Sequence, residues 1–510
     1  IDRLASQGTA FTRFHASPVC SISRAMFLTG NDPIEIGLAA FDYALYPPAN
    51  GVPGYESYLT RTTVTVAELL QDNGYRTYMT GKWHLGGAHG GDGPHKWGFD
   101  HSYSIYTGGA NHWNQGVFHV DTHNPEVVEQ VRKGIIPQEP YYEDGQSVTR
   151  PTGIFSDTLW TSKMLEYLES GRQTGKPCFA YLAYTTAHAP LQAPGFLIDK
   201  YVDHYLKSGF AGLRRQRWEV QKRIGLIEAD TPYVEYEDNP LVREWNALSE
   251  DEKQRQARSM AVYSAMMESQ DYNIGMVLNY LRETGELANT LVIYMSDNGP
   301  EGQGVEGRLG SPSSKKWIES NFSQELEDIG KGNAFGFLGT SWASASTGSL
   351  QWWKWFIGEG GIRVPLIVVP PKTTAFSHAG ELNSDHLSVK DIPITILDYA
   401  GVKHPMHNFK GRAIKAPSGV SARPFLEGKQ ARPRSEEQWV AFELFGNGFV
   451  VSGDYKAIRV RPAMWGDGKW HLYDIVSDPG ETRDLAGEQP ERLEKLVAIY
   501  DDWAESNGIV

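Results

Sequence analysis

Residues 291–299, with the sequence Leu-Val-Ile-Tyr-Met-Ser-Asp-Asn-Gly, run from an uninterrupted apolar stretch into a polar turn. A short apolar run of this kind is typical of a strand covered on both faces, as in the sheets of α/β proteins. A helical pattern over 260–283 precedes it, with a turn at Gly285. Because the ligands of such sheets bind where strands end, the stretch predicts an α/β fold with functional groups at Asp297 and Asn298.

An earlier segment has the same order of helix and strand. Thr65 and Glu68 have the spacing of a capping box, and Gly74 is a predicted helix end before a strand at 75–79. That strand leads into Gly-Lys-Trp-His-Leu-Gly at 81–86. Polar residues therefore follow this predicted strand as well.

The C-terminal part of the sequence has a different pattern. Short apolar runs between Trp439 and Tyr473 predict a small antiparallel sheet, and a helix is predicted at about 491–504. The stretch 410–434 is rich in Gly, Pro and Arg and is predicted to be a linker. We therefore divide the chain into a catalytic domain at 1–430 and a C-terminal α+β subdomain at 431–510.

The charge balance limits the classes of partner. The 510 residues include 48 Lys and Arg against 62 Asp and Glu, a formal net charge of −14. Nucleic-acid surfaces need clustered basic residues, so we expect no nucleic-acid partner. Apolar runs such as 364–369 are far shorter than the ~18 residues of a membrane-spanning helix, so we expect no membrane insertion.

Two cysteines are too few for a disulfide framework. Cys178 lies in the apolar run 177–182, which predicts a buried strand. We therefore expect Cys178 to be an unreactive thiol in the core.

Cys20 lies in the stretch 17–30, which predicts a helix that begins after Pro18 and ends at Gly30. Arg24 is one helical turn further on and would share a face with Cys20. An anion held by the N–H groups at the helix start would then also reach the guanidinium. This spacing is common by chance and does not by itself indicate a function.

Several short segments together make a far more specific pattern. Their order along the chain resembles the sulfatase family, in particular arylsulfatases of the bacterial type, from the first residue into the C-terminal sheet. In chain order the segments are Cys20 with Arg24 and Gly30, 81–86, Ala187-His188-Ala189-Pro190, 296–299, Lys354 ahead of 360–365, 472–474 and 478–481.

This resemblance implies an alkaline-phosphatase-like fold, with a large mixed β-sheet sandwiched by helices and a small C-terminal antiparallel sheet plus helix. It implies hydrolysis of small-molecule sulfate monoesters to an alcohol or phenol and inorganic sulfate. A formylglycine-generating maturation enzyme would convert Cys20 to formylglycine, whose hydrate is the nucleophile. Because a sulfate ester repels nucleophiles, the reaction also calls for cations around its oxygens and a bound metal.

The resemblance assigns these cations and the metal ligands. Carboxylate and amide oxygens suit Ca²⁺, with Mg²⁺ as the alternative, better than a soft metal. The expected cations are Arg24, Lys82 and Lys354. The expected metal ligands are the modified Cys20, Asp297 and Asn298.

The same resemblance assigns the proton transfers. His188 would protonate the leaving oxygen, His84 would deprotonate the remaining hydroxyl, and Asp297 could accept the nucleophile's proton. The pair Asn111-His112 is a weaker candidate for the pocket rim. Since Asp-Asn-Gly also forms good turns, and a lone histidine is more often packed or on the surface, these roles depend on the segments taken together.

Two features depart from the family pattern. The family has an N-terminal strand that ends in paired, metal-binding aspartates, and this sequence begins after that point, at Ile1. We therefore expect the natural N-terminus to lie upstream, which leaves the metal shell incomplete and leaves open a bacterial cytoplasmic or periplasmic location. Ile22 stands where the maturation enzyme usually meets Pro or Ala.

Two alternatives remain open at this point. A phosphate or phosphonate monoester hydrolase on the same fold would share the cationic pocket, although extra Asp and His ligands of zinc phosphatases are not found in the sequence. A degenerate sulfatase would bind sulfate esters without turnover, as the absent aspartates and Ile22 would allow. Comparing the turnover of the sulfate and phosphate esters of one phenol distinguishes a sulfatase from a phosphate or phosphonate hydrolase. Mass analysis at Cys20, together with a measurement of sulfate release, distinguishes an active sulfatase from a degenerate one.

Overall fold

The computed structural model describes residues 1–40, 49, 51–87, 91–113, 141–234, 239–303, 312–435 and 437–509, without the side chains of 312–314 and 317. The α-helices in these ranges are Asp2–Gln7, Cys20–Thr29, Val66–Asp72, Ser156–Arg172, Gly195–Arg223, Glu250–Glu283, Pro312–Asn321, Thr340–Thr347, Glu359–Ile362, Asp391–Ala400, Arg423–Leu426 and Pro490–Asn507. None of these helices is long and apolar enough to cross a membrane.

The strands are numbered in chain order. They are β1 Thr9–His15, β2 Arg76–Lys82, β3 His101–Ile105, β4 Tyr141–Glu143, β5 Gln146–Val148, β6 Cys178–Ala183, β7 Val292–Met295, β8 Arg363–Val369, β9 Glu381–Ser388, β10 Asn408–Phe409, β11 Arg412–Ala413, β12 Trp439–Leu444, β13 Asn447–Ser452, β14 Tyr455–Arg459 and β15 Trp470–Asp474.

Two mixed sheets form the larger part of the fold. One has the strand order β7-β8-β1-β9 and the other the order β5-β4-β3-β2-β6. β1 is parallel to β9, and β2 is parallel to both β3 and β6, while the other neighbours in the two sheets are antiparallel. Helices pack against these sheets, so the predicted α/β class is confirmed.

Local capping explains where the helices near the site begin and end. Thr65 Oγ1 accepts the Glu68 N–H, and the Glu68 carboxylate accepts the Thr65 N–H, so the predicted capping box is confirmed. The Cys20–Thr29 helix ends at Gly30, whose φ of +77° is left-handed and whose N–H donates to the Met26 carbonyl. Because a side chain at this φ is strained, glycine suits the position.

A cleft of about 1830 Å³ separates the two sheets along the edges of β6 and β7. Among the described residues β6 pairs only with β2, and β7 pairs only with β8. The prediction that Cys178 lies in a buried strand as a core thiol is therefore wrong. Cys178 is exposed, because β6 is an edge strand that lines this cleft.

The C-terminal sheet is antiparallel, with the order β12-β13-β14-β15, and the helix Pro490–Asn507 packs on it as predicted. Its other face shares the main core, to which Phe442 and Phe449 contribute. The predicted linker at 410–434 belongs to the same core, because Phe425 and Leu426 are buried in it. That stretch is therefore packed structure, and its Gly and Pro content marks turns.

A buried ion network joins this C-terminal sheet to the larger part of the fold. Lys456 of β14 is fully buried and lies 3.0 Å from Glu359 Oε1 and 2.8 Å from Glu481 Oε1. Glu359 Oε2 is in turn 3.0 Å from Nε2 of His15, at the end of β1. Each charge thus has a partner, which buried charges require.

Candidate active site

The predicted nucleophile, Cys20, is the first residue of its helix and is only 5% exposed. Lys82, at the end of β2, donates from Nζ to Cys20 Sγ across 3.0 Å. Burial alone would raise the pKa of the thiol, but the ammonium groups of Lys354 and Lys82 and hydrogen bonds to His188 and His84 lower that pKa well below its usual value. The pocket therefore stabilises negative charge at this side chain.

Arg24 connects three segments that are distant in sequence. Its Nε and Nη2 lie 2.9 and 2.8 Å from Asp297 Oδ2, after β7, and Nη1 donates to the Lys82 carbonyl oxygen at 2.6 Å. Burial alone would lower the pKa of the guanidinium, but Tyr181 and Asp297 raise it, so Arg24 stays charged. The helical spacing of Cys20 and Arg24 does place both side chains in one pocket.

His84 follows β2 and has a φ of +58°, which is uncommon for a residue other than glycine. Burial, followed by the charge of Lys82, lowers the pKa of His84 to about 4. The imidazole is therefore neutral at pH 7 and is able to accept a proton.

His188 lies five residues after the end of β6, at Ala183. Its Nδ1 lies 2.8 Å from the Ala189 carbonyl oxygen, which only accepts, so Nδ1 carries the hydrogen. Nε2 then faces Lys354 Nζ at 3.2 Å. Burial and the two nearby lysine charges lower the pKa of His188, so its protonated form is a strong proton donor.

His112 does not lie at the pocket rim. It is 1% exposed, and its Nε2 donates to the His188 carbonyl oxygen at 3.2 Å while Nδ1 pairs with Ser156 Oγ at 2.7 Å. The neighbouring Asn111 is also buried and donates to the Gly332 carbonyl oxygen. The prediction of a rim position is wrong, because the Gly-rich sequence around this pair folds inward and supports the segment that carries His188.

Lys354 has a carboxylate partner that the sequence reasoning missed. Glu301 Oε2 lies 2.5 Å from Lys354 Nζ, and both side chains are buried. Burial alone would lower the pKa of Lys354, but Cys20 and Glu301 raise it, so the ammonium persists. The available signal was the acid that directly follows the Asp-Asn-Gly-Pro turn, at the same strand end as Asp297.

The end of β7 offers an oxygen atom suited to a cation. Asn298 Oδ1 is buried and has no hydrogen-bond partner within the described ranges, while its Nδ2 donates to the Gly299 carbonyl oxygen at 2.8 Å. A buried amide oxygen without a donor suits a hard cation such as Ca²⁺. The described part of the chain contains no cluster of three or more His, Cys, Asp or Glu side chains able to hold a metal, so Asp297 and Asn298 form only part of a shell.

The structure brings the predicted site residues together at the ends of β2, β6 and β7, at the start of the Cys20–Thr29 helix and, for Lys354, in the segment ahead of the Glu359–Ile362 helix. Their individual catalytic roles stay predictions. The residues placed in this pocket are Cys20, Arg24, Lys82, His84, His188, Asp297, Asn298 and Lys354, with Glu301 in addition.

Solved structures have the same fold. A protein in complex with its substrate D-glucosamine-2-N,6-O-disulfate is 21% identical and has a TM-score of 0.58, covering 99% of this chain and 92% of that one. A phosphonate monoester hydrolase from Silicibacter pomeroyi is 17% identical with a TM-score of 0.51, covering 99% and 90%. These likenesses establish the alkaline-phosphatase-like fold.

Comparison with sequence relatives identifies the family as well as the fold. An uncharacterized sulfatase of Schizosaccharomyces pombe is 35% identical over 100% of this chain and 89% of its own length. An arylsulfatase of Klebsiella aerogenes is 29% identical over 86% of this chain and 88% of its own length. The family model named Sulfatase matches residues 1–402. With the site geometry above, these matches mean that the chain belongs to the sulfatase family and is a sulfuric ester hydrolase.

Proposed function

We propose that this protein hydrolyses sulfate monoesters of the arylsulfatase type, with formylglycine at position 20 as the source of the nucleophile. One observation carries the proposal, namely that the Cys20 side chain lies against the Lys82 ammonium in a pocket shared with Lys354, His84 and His188. Such a pocket stabilises an anionic group at residue 20 and the charge that develops on transferred sulfate oxygens.

The aldehyde requires a two-electron oxidation of the Cys20 side chain, for which the maturation enzyme must supply an external oxidant. In this step the carbon–sulfur bond breaks, the sulfur leaves and a carbonyl oxygen takes its place. Hydration then gives two hydroxyl groups on one carbon. A thiolate would attack sulfur once and keep the sulfate, because its product has no second hydroxyl with which to expel it. The hydrate would therefore allow repeated turnover, which the free thiol would not.

The positions of the two histidines support the following turnover cycle. One hydroxyl of the hydrate attacks sulfur and passes its proton to Asp297, the sulfur–oxygen bond to the alcohol or phenol breaks, and protonated His188 donates its proton to the leaving oxygen. His84, neutral at pH 7, then takes the proton of the second hydroxyl. The carbon–oxygen bond to sulfate breaks, inorganic sulfate leaves and the aldehyde is restored.

We propose Ca²⁺ as the resident metal, with Mg²⁺ as the alternative. The modified residue 20, Asp297 and Asn298 would hold it, and the ion would supply positive charge next to the sulfate oxygens. The facing edges of β6 and β7 support the idea that one more strand fits the cleft and brings further carboxylates to this site.

The source of those carboxylates is tested by calorimetry. A protein in which the family's N-terminal strand, with its paired aspartates, is joined ahead of Ile1 should bind Ca²⁺ more tightly than residues 1–510 alone. Equal affinities would mean that the added strand contributes no ligands.

The activity is tested with sulfate and phosphate esters of one phenol, on protein produced with the maturation enzyme. Sulfate release should exceed phosphate release and should vanish in Cys20→Ala. Tryptic mass spectrometry should find residue 20 with sulfur replaced by oxygen and two hydrogens lost, in a fraction that follows specific activity. Faster phosphate release would favour a phosphate or phosphonate hydrolase, and fully converted protein without turnover would favour a degenerate sulfatase.

A further inference from the structure

Glu301 places a negative charge inside a pocket that binds anions. Its Oε2 lies 2.5 Å from Lys354 Nζ, and its Oε1 accepts the Gln303 N–H at 2.9 Å. Lys354 Nζ is also 3.2 Å from His188 Nε2, and both of these groups act on the side chain of residue 20. Glu301 is thus one side chain removed from the reacting groups and is fixed by two contacts.

The carboxylate changes the charge of the pocket by one unit. Arg24 is paired with Asp297, and Lys354 is paired with Glu301, so two of the three cations have an acidic partner, and of these two acids Glu301 is the buried one. Orienting a lysine does not require a carboxylate, because a neutral amide or carbonyl oxygen also accepts a hydrogen bond from an ammonium group. An acid at this position, unlike an amide, adds a negative charge to the pocket. Because Glu301 and Lys354 are buried, water screens that charge little.

We propose that Glu301 is a specificity-determining residue, which adjusts the pocket to singly charged sulfate esters and against doubly charged phosphate esters. This inference rests on the proposed sulfatase function. Glu301 acts through Lys354 and through its own charge, without a role in bond making or breaking.

The discrimination follows from Coulomb's law. A sulfate monoester carries one negative charge, whereas a phosphate monoester carries two at pH values above its second pKa of about 6. Repulsion from Glu301 therefore acts about twice as strongly on the phosphate ester. Other fixed charges in the pocket, including any bound metal, are the same before and after a substitution at Glu301 and cancel in the comparison.

The test compares Glu301→Gln with the wild type at about pH 7.5, where phosphate esters are doubly charged. For each protein kcat/KM is measured on the sulfate and the phosphate ester of one phenol, and the phosphate-to-sulfate ratio is taken within one preparation. This ratio is independent of how much residue 20 has been converted and of the fraction of folded protein. Glu301→Gln should raise the ratio roughly tenfold or more.

A second pair of variants separates charge from shape. Glu301→Asp and Glu301→Asn shorten the side chain equally and differ only in charge. The ratio should stay near the wild-type value in the Asp variant and rise roughly tenfold in the Asn variant, and this pair decides the question if the Gln variant does not fold. Asp157→Asn, which removes a buried carboxyl bonded to Thr186 and not to Lys354, should leave the ratio unchanged.

The outcomes distinguish failure of the role of Glu301 from failure of the proposed sulfatase function. A wild-type protein that releases sulfate, combined with a ratio that changes less than twofold in both neutral variants, would overturn the role of Glu301 and leave the sulfatase function intact. A ratio that rises equally in the Asp and Asn variants would mean that position and not charge matters, and would also overturn it. A wild-type protein without sulfate release at full conversion would overturn the proposed function and the inference together.

Discussion

Lys82 Nζ lies 3.0 Å from Cys20 Sγ, although the two residues are 62 positions apart in the chain. The contact forms because β2 ends where the Cys20–Thr29 helix begins. Both side chains are buried, so their interaction is screened little by water. This pair places a positive charge directly against the residue that we propose as the source of the nucleophile.

We expect Lys82→Met to lower kcat on an aryl sulfate by about 10²–10³-fold, the loss typical of one donor to a developing oxyanion. Lys82→Arg should recover part of the rate, because it keeps the charge. Steady-state kinetics measure kcat of both variants, with each value divided by the fraction of protein in which residue 20 has been converted to formylglycine. Lys96→Met, at an exposed lysine, is the control, and an equal loss there would remove the special role of Lys82.

The sequence predicts this pocket well because its residues follow local signals. The capping box at Thr65 and the glycine at Gly30 set helix limits through neighbours within a few residues. Apolar strands that end in polar residues, at Lys82 and Asp297, then bring distant segments to the same side of the fold.

The features that the sequence did not predict depend on contacts between distant segments. Whether Cys178 is covered depends on which strands flank β6, and an apolar run does not contain that information. Glu301 acquires its role from Lys354, which a different segment supplies. Phe425 is buried because a Gly- and Pro-rich stretch folds back on the core, whereas composition alone resembles that of a linker.

His188 is expected to matter most for poor leaving groups. Its Nδ1 is engaged by the Ala189 carbonyl oxygen, so in the proposed role Nε2 would be the atom that delivers a proton. His188→Ala should slow an alkyl or weakly acidic phenol sulfate more than an ester of an acidic phenol, within the roughly 10²–10⁴-fold range of acid catalysis. A leaving-group series measures this, and equal losses along the series would remove His188 from that role.

Asp157 makes stability depend on pH. Burial raises its pKa from 3.8 to about 7, although Thr186 Oγ1 donates to it at 2.9 Å. Because the folded state holds this proton more tightly than the unfolded chain, the contribution to stability is fully present below about pH 4 and is lost as pH rises through about 7.

Asp157→Asn removes that dependence. Its free energy of unfolding relative to the wild type should rise by about 2 kcal/mol between pH 5 and pH 8. Denaturant titrations at the two pH values measure the change, with Asp203→Asn, at an exposed position, as the control. A difference that does not vary with pH would mean that Asp157 is ionised in the folded protein at pH 5.

Lys456 is expected to be important for stability. Removing its charge in Lys456→Met leaves Glu359 and Glu481 buried next to each other without their shared cation. Breaking a buried ion pair in this way costs about 3–5 kcal/mol. Denaturant unfolding should reveal this loss, whereas Lys495→Met, on the exposed side of the C-terminal helix, should change stability by less than about 0.5 kcal/mol.

Asn298 is expected to contribute to metal binding. Its Oδ1 is buried without a donor among the described residues, and such an oxygen destabilises the metal-free protein by about 1–3 kcal/mol. A bound Ca²⁺ would satisfy it. Asn298→Ala should therefore cost the metal-free protein no more than about the 1 kcal/mol of the hydrogen bond from Nδ2 to the Gly299 carbonyl.

The same substitution should reduce the rise in melting temperature that added Ca²⁺ produces, because binding to the folded state stabilises it in proportion to affinity. Thermal unfolding with and without Ca²⁺ measures this without reference to activity. Asn31→Ala is the matched control, since both ends of the Asn31 amide are bonded, to Ala416 and Thr63. Asn31→Ala should lower the melting temperature of the protein but leave unchanged the rise in melting temperature that Ca²⁺ produces. If Asn298→Ala kept the full increment as well, the ion would be bound elsewhere, and the buried oxygen of Asn298 would need another explanation.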